Sequence, residues 1–148
     1  MVARTIAQLQ PAGWQLRATH LEAAPWENRA VMNIAIERTP GLARLQSALV
    51  QALQPIALEN GSARAFVQMP NEPGVSQTTV DYVRTFVPKA AGSNFKPHIT
   101  VGLAAPRVIA ALRTESFTPM TFSVSQAAIF QLGDVGTARE ILWKSTEP

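Results

Sequence analysis

Asn94-Phe95-Lys96-Pro97-His98-Ile99-Thr100-Val101-Gly102 brings a titratable ring, a hydroxyl and a cation onto one short stretch, as no other part of the 148-residue chain does. An imidazole exchanges a proton near neutrality, so it can serve as a general acid or a general base. Proline can open a strand. From Pro97 onward Ile99 and Val101 then share one face, while His98, Thr100 and Gly102 share the other. The ring and the hydroxyl are therefore predicted to point the same way, about two residue rises or roughly 6 to 7 Å apart. That face is expected to be either the wet side of an antiparallel sheet or the floor of a cleft. On the His-x-Thr tripeptide alone, His98 reads as a strand histidine bonded to a neighbouring carbonyl.

The elements that must hold this strand follow from hydrophobic spacing. Ala3 to Leu9 reads as the tail end of a helix that stops at Pro11-Ala12-Gly13. Trp14 to Leu21 alternates, with Trp14, Leu16, Ala18 and His20 on one side and Arg17, Thr19 and Leu21 on the other, and predicts a strand. After a turn at Pro25-Trp26-Glu27-Asn28, Ala30 to Glu37 predicts a second, antiparallel strand, the pair forming a hairpin with a longer loop. Thr39-Pro40 supplies an N-cap and a first helical residue. Leu42, Leu45, Leu49 and Leu53 then predict a helix ended by Pro55. Ala57 to Gly74 is rich in turn residues, with one apolar patch at Phe66-Val67, and predicts a surface excursion with a short edge strand. Gln77 to Val87 predicts a helix, and Lys89 to Ser93 a linker to the His98 strand. Pro106 to Thr114 predicts a short helix. Phe122-Ser123-Val124 and Ala127 to Leu132 read as one irregular strand, and Gly133 to Thr137 is a turn before a closing strand, Ala138 to Lys144. Short strands interleaved with two or three helices make α+β, with mostly antiparallel sheets, the expected class.

Composition bounds the function. Apolar residues at 47% and charged residues at 16% describe a globular protein. A net charge of +3 without a run of Lys and Arg does not point to long duplexes. The absence of cysteine removes disulfides, thiolate zinc sites and cysteine nucleophiles together. No apolar run approaches the roughly 18 residues of a membrane span, and the first residues lack the apolar core of a signal peptide. The sequence therefore predicts no membrane association and a cytoplasmic location. The carboxylates Glu22, Glu37, Asp81, Asp134 and Glu140 show no metal spacing, and no P-loop, Gly-x-Gly-x-x-Gly or Gly-x-Ser-x-Gly occurs. No metal and no cofactor are expected.

Phe95-Lys96-Pro97-His98-Ile99-Thr100-Val101-Gly102 resembles the second signature of the 2H phosphoesterase superfamily, the 2'-5' RNA ligase-like and cyclic phosphodiesterase proteins. There an aromatic residue and a Pro-His-hydrophobic-Thr-hydrophobic strand recur. The order upstream is similar as well: a strand ending at Pro25-Trp26, the apolar strand Ala30 to Glu37, the Pro-capped Leu-rich helix Pro40 to Leu53, a loop, and then His98. Ile129-Phe130-Gln131-Leu132-Gly133 through Gly136-Thr137-Ala138-Arg139 is similar to the family's last hairpin. The likeness covers nearly the whole chain and implies a two-lobed fold over residues 1–148.

The family is named for two His-x-Thr/Ser motifs facing each other across a cleft, and this sequence has one. The resemblance therefore implies a domain lacking its N-terminal strand or strands. His20 is followed two positions on by Glu22, and its place in the strand order is that of an ordinary sheet residue; Asn33-Ile34-Ala35 falls on the second strand of the hairpin and is not a degraded copy. In the family each histidine either takes a proton from the nucleophile or gives one to the leaving oxygen, and the paired hydroxyls donate to the non-bridging oxygens without a metal. Carried over, His98 is the acid or base and Thr100 holds a phosphate oxygen. Lys96 could add positive charge beside the phosphate. Tyr82 and Arg84 could stack on or clamp a nucleotide, and Arg139 could meet a phosphate. The implied partner is a nucleotide or RNA phosphodiester with a 2'-5' or 2',3'-cyclic linkage. Two alternatives stand beside this enzyme reading: a nucleotide or RNA binding module of weak or no activity, and a homodimer with a composite site, in which an unpaired sheet edge exchanges strands with a second copy.

Overall fold

A computed structural model of the protein describes residues 1–145. It is an α+β arrangement of antiparallel strands and, among the described residues, five α-helices. The four-stranded sheet has the order β3-β2-β1-β4, built from β1 (Gln15–Trp26), β2 (Arg29–Ile36), β3 (His98–Ala104) and β4 (Met120–Ser123). A separate two-stranded sheet pairs β5 (Ala128–Leu132) with β6 (Ala138–Lys144). Phe122 and Ala127 therefore do not share one irregular strand, as the sequence predicted. The chain leaves β4, crosses to the second sheet and begins β5 there.

The β1–β2 hairpin is longer and tighter than its turn residues predicted. Trp26 pairs with Arg29, so the loop is only Glu27 and Asn28, with Glu27 at φ 52°. Positive φ in a two-residue loop matches the right-handed twist of the flanking strands. Pro25 and Trp26 belong to the strand. A bulge interrupts the pairing between Ala18 and His20: Ala18 faces Ile36, His20 faces Ala35, and Thr19 is the extra residue. Its hydroxyl donates to the Ala35 carbonyl at 3.2 Å.

The inner face of the hairpin makes the core. Leu16, Ala18 and Ile36 are buried there, and Ile34, Leu42, Phe117, Phe122 and Val124 pack against them. Leu42 comes from α2 (Pro40–Leu53), which starts where expected, with the Thr39 hydroxyl accepting from the Leu42 amide at 3.2 Å. Helix α1 (Val2–Leu9) lies against α2 and buries Ile6. Its end at Gln10 adopts φ 45°.

The predicted helix over 77–87 is two: α3 (Gln77–Arg84) and α4 (Phe86–Ala90), broken at Thr85. Pro88 is the physical reason. In a continuous helix its ring would strike the carbonyl four residues back, at Arg84, whereas in the first turn of a new helix it is tolerated. Lys89 and Ala90, read as linker, are thus helical. The edge strand expected at Phe66-Val67 is absent from the structure, where the Val67 amide donates to the Leu132 carbonyl at 2.8 Å and Gln131 Nε2 to the Ala65 carbonyl at 3.1 Å, tying that segment to β5. A short helix, α5 (Pro106–Leu112), follows β3 and buries Ile109. No helix among the described residues is long and apolar enough to cross a membrane.

Candidate functional site

The approach to β3 is fixed on both sides before His98 is reached. The Ile36 amide donates to the Pro97 carbonyl at 2.9 Å, which docks the strand's first residues on β2. Just upstream, Arg38 donates to the Gly92 carbonyl at 3.0 Å, and Gly92 itself sits at φ 61°, a conformation that favours glycine. From Asn94 to His98 the chain forms one wall of an open cleft of about 840 Å³. Tyr82 and Phe86 on α3 and α4 also line it, with Lys89, as do Glu22 and Ala24 of β1 and Asn33 of β2.

Within the cleft His98 is exposed, and its Nδ1 lies 2.9 Å from the Lys96 carbonyl. A carbonyl can only accept, so Nδ1 carries the proton and neutral His98 presents Nε2 as the free lone pair. The neighbouring-carbonyl bond expected of a plain strand histidine is present, and it also fixes the tautomer that a general base requires. Lys96 and Lys89 both line the cleft, and neither forms an ion pair among the described residues. Tyr82 makes edge-to-face contacts with Trp26 (5.3 Å between ring centroids) and Phe86 (5.7 Å). Burial pushes the Tyr82 phenol above its ordinary value, so it stays neutral. With Phe95 these rings give the cleft an aromatic side on which a planar group could stack.

The remaining candidates divide. Thr100 is exposed and pairs with Asn33, but it is not among the residues that line the cleft. Arg84 is held at 2.8 Å by Asp81 on its own helix. Arg139 is engaged elsewhere, donating to Glu72 at 2.9 Å and to the Thr137 hydroxyl at 3.1 Å. The second face of β3 is wetter than alternation predicts, with Ile99 at 44% and Val101 at 58% exposure. Here β3 is an edge strand, and a second bulge falls between Met32 and Asn33, opposite Val101.

Two residues were passed over in the sequence. Asn33 is 6% exposed, lines the cleft, and its Oδ1 has no hydrogen-bond partner among the described residues. Buried polar atoms are seldom left without a partner, whether water or a bound group. Its signal was a lone polar residue in the apolar run Val31-Met32-Asn33-Ile34. His20 is the other. It is exposed, on the same row of the sheet as Ala35 and His98. No cluster of three or more His, Cys, Asp or Glu residues suited to a metal occurs among the described residues.

A second, apolar groove of about 730 Å³ lies between α2 and the α3–α4 pair, lined by Leu49, Leu53, Phe66, Val80 and Val83 among others, and holds no histidine. The geometry at β3 provides a proton-exchanging ring with its free nitrogen in the open, cations for an anion and rings for a planar group. No protein-family model, curated protein or solved structure matches this chain.

Proposed function

We propose that this protein is a 2H-type phosphoesterase acting on 2'-5' or 2',3'-cyclic phosphodiester linkages of RNA or nucleotides, with His98 as one of its proton carriers. The observation that carries the reading is the Nδ1 bond of His98 to the Lys96 carbonyl, which leaves Nε2 free in a cleft lined by two lysines and three aromatic rings. An imidazole so held abstracts a proton from a nucleophile or, once protonated, returns one to a leaving oxygen. Lys89 and Lys96 offset the charge of the phosphate. Tyr82, Phe86 and Phe95 take the base. Thr100, at the same face of β3 as His98, is assigned to a non-bridging oxygen.

The test is incubation with the four 2',3'-cyclic nucleotides and a 2'-5' dinucleotide, with products separated by chromatography. Turnover is expected for at least one, with a loss of about 10²- to 10⁴-fold in His98→Ala. Absence of turnover for every one of them overturns the reading.

One observation favours the binding-module alternative: His98 is the only histidine among the residues that line the cleft. Binding with wild-type and His98→Ala turnover alike at background is its signature. A homodimer is favoured by the second sheet, where β6 pairs only with β5 among the described strands and leaves Ile141 and Leu142 more than half exposed. Sedimentation at micromolar concentration distinguishes it from a monomer.

A further inference from the structure

We infer that His20 is the second proton carrier, working across Ala35 from His98. This rests on the phosphodiester reading above, and it supplies what that reading lacks, a group on the far side of phosphorus.

The bulge in β1 creates the arrangement. Without it, His20 would share the face of Leu16 and Ala18, which are buried. With Thr19 as the extra residue, the alternation is reset. His20 becomes exposed, and Glu22 and Ala24, of the same parity, line the cleft. Bulges re-aim side chains in this way and are frequent beside active sites.

His20 pairs with Ala35 on one side, and His98 pairs with Ala35 on the other. Residues directly opposite in antiparallel strands share a face, so both rings rise from the same side of the sheet. Their backbones stand two strand spacings apart, roughly 10 Å. The residue between them, Ala35, carries only a methyl group and is itself buried, at 8% exposure.

Both rings are also poised alike. His20 Nδ1 lies 2.9 Å from the Thr19 hydroxyl, whose own proton goes to the Ala35 carbonyl at 3.2 Å. With its proton so directed, the hydroxyl accepts, and His20 Nδ1 donates. Nε2 is left free on His20, as it is on His98. Two imidazoles in the same tautomer, each tethered at Nδ1, flank one small residue.

In hydrolysis of a 2',3'-cyclic phosphate, one imidazole takes a proton from water as the water oxygen bonds to phosphorus. The other, protonated, gives its proton to the ribose oxygen as that P–O bond breaks. One water is consumed, one phosphomonoester forms, and solvent resets the two rings. No oxidant, metal or further reactant enters.

The experiment compares unmodified protein, His20→Ala, His20→Gln and His98→Ala for turnover and for binding of a 2',3'-cyclic nucleotide. Melting temperature serves as the check on folding. Glutamine keeps a polar side chain at position 20 but cannot carry the proton. Expected is a turnover loss of about 10²- to 10⁴-fold in both His20 variants, with nucleotide affinity within about threefold of the unmodified protein. An ester with a nitrophenolate leaving group, which needs no protonation, is expected to restore turnover in whichever of His20→Ala and His98→Ala lacks the acid, and not in the other. Turnover within tenfold of the unmodified protein in His20→Ala overturns the inference while the His98 reading stands. Weakened binding with undiminished turnover at saturation overturns it too, making His20 a phosphate contact. If the unmodified protein turns over neither a cyclic nucleotide nor the 2'-5' dinucleotide, both fall.

Discussion

The Thr79 hydroxyl donates a 2.6 Å hydrogen bond to Asp134 Oδ1, from a position with no solvent exposure at all. The same hydroxyl accepts from the Val135 amide at 2.9 Å, and the Ser76 amide and hydroxyl each reach Asp134 Oδ1 at 3.1 Å. The start of α3, which carries Tyr82 toward the cleft, is thereby pinned to the turn between β5 and β6.

Thr79→Val removes this node while keeping its shape. It leaves the Val135 amide and the Asp134 carboxylate each one partner short. A loss of about 1.5 to 3 kcal/mol is expected, as for a hydrogen bond to a charged group. Urea unfolding followed by tryptophan fluorescence measures it.

The same node gives a pH dependence with a definite sign. Burial on its own would push the Asp134 carboxyl up, but hydrogen bonds from the Thr79 hydroxyl, the Ser76 amide, the Val135 amide and the Ser76 hydroxyl outweigh it and hold the group below its ordinary value. A carboxyl depressed in the folded state contributes stability above its unfolded value, near pH 4. That contribution is lost as pH falls through the lower folded value. Melting temperatures recorded from neutral to strongly acid pH are expected to fall less steeply below about pH 4 in Asp134→Asn than in the unmodified protein.

Asn33→Leu is expected to separate stability from binding. Replacing a buried amide whose Oδ1 is unpartnered with an apolar side chain of the same branching removes an uncompensated desolvation cost, and a gain of about 1 kcal/mol follows. Nucleotide affinity, measured by calorimetry, is expected to fall at the same time.

Tyr82→Ala removes the middle ring of the Trp26-Tyr82-Phe86 series. A stacked base is worth about 1 to 3 kcal/mol, so cyclic nucleotide binding is expected to weaken about 5- to 150-fold. Tyr82→Phe, which keeps the ring, is expected to bind within a factor of about three of the unmodified protein, and fluorescence titration distinguishes the two variants.

Much of this architecture was legible in the residues. Thr39-Pro40 and the leucine spacing placed α2 to the residue, because capping chemistry and a 3.6-residue period act locally. Pro97 and the alternation after it placed β3. The features that failed to show share a cause. Whether Val124 and Ala127 belong to one strand or lie between two depends on which partner each finds, and pairing partners are remote in sequence. The bulge at Thr19 was hidden for the same reason: Trp14 to Leu21 alternates without interruption, and only its pairing with β2 reveals a residue too many. That is why His20 was counted with Leu16 and Ala18. Asn33 carried a visible sign, one amide within an apolar run, but the sign did not say into which space the amide opens.

Thr19 also sets a short mutational distance. Excising that single codon would keep Ala18 opposite Ile36 and His20 opposite Ala35, so the hairpin's first arm would become regular without turning over the imidazole or the carboxylate beyond it. Chains with and without that codon would carry the same side chains on the same face, one arm bent at Thr19 and the other straight.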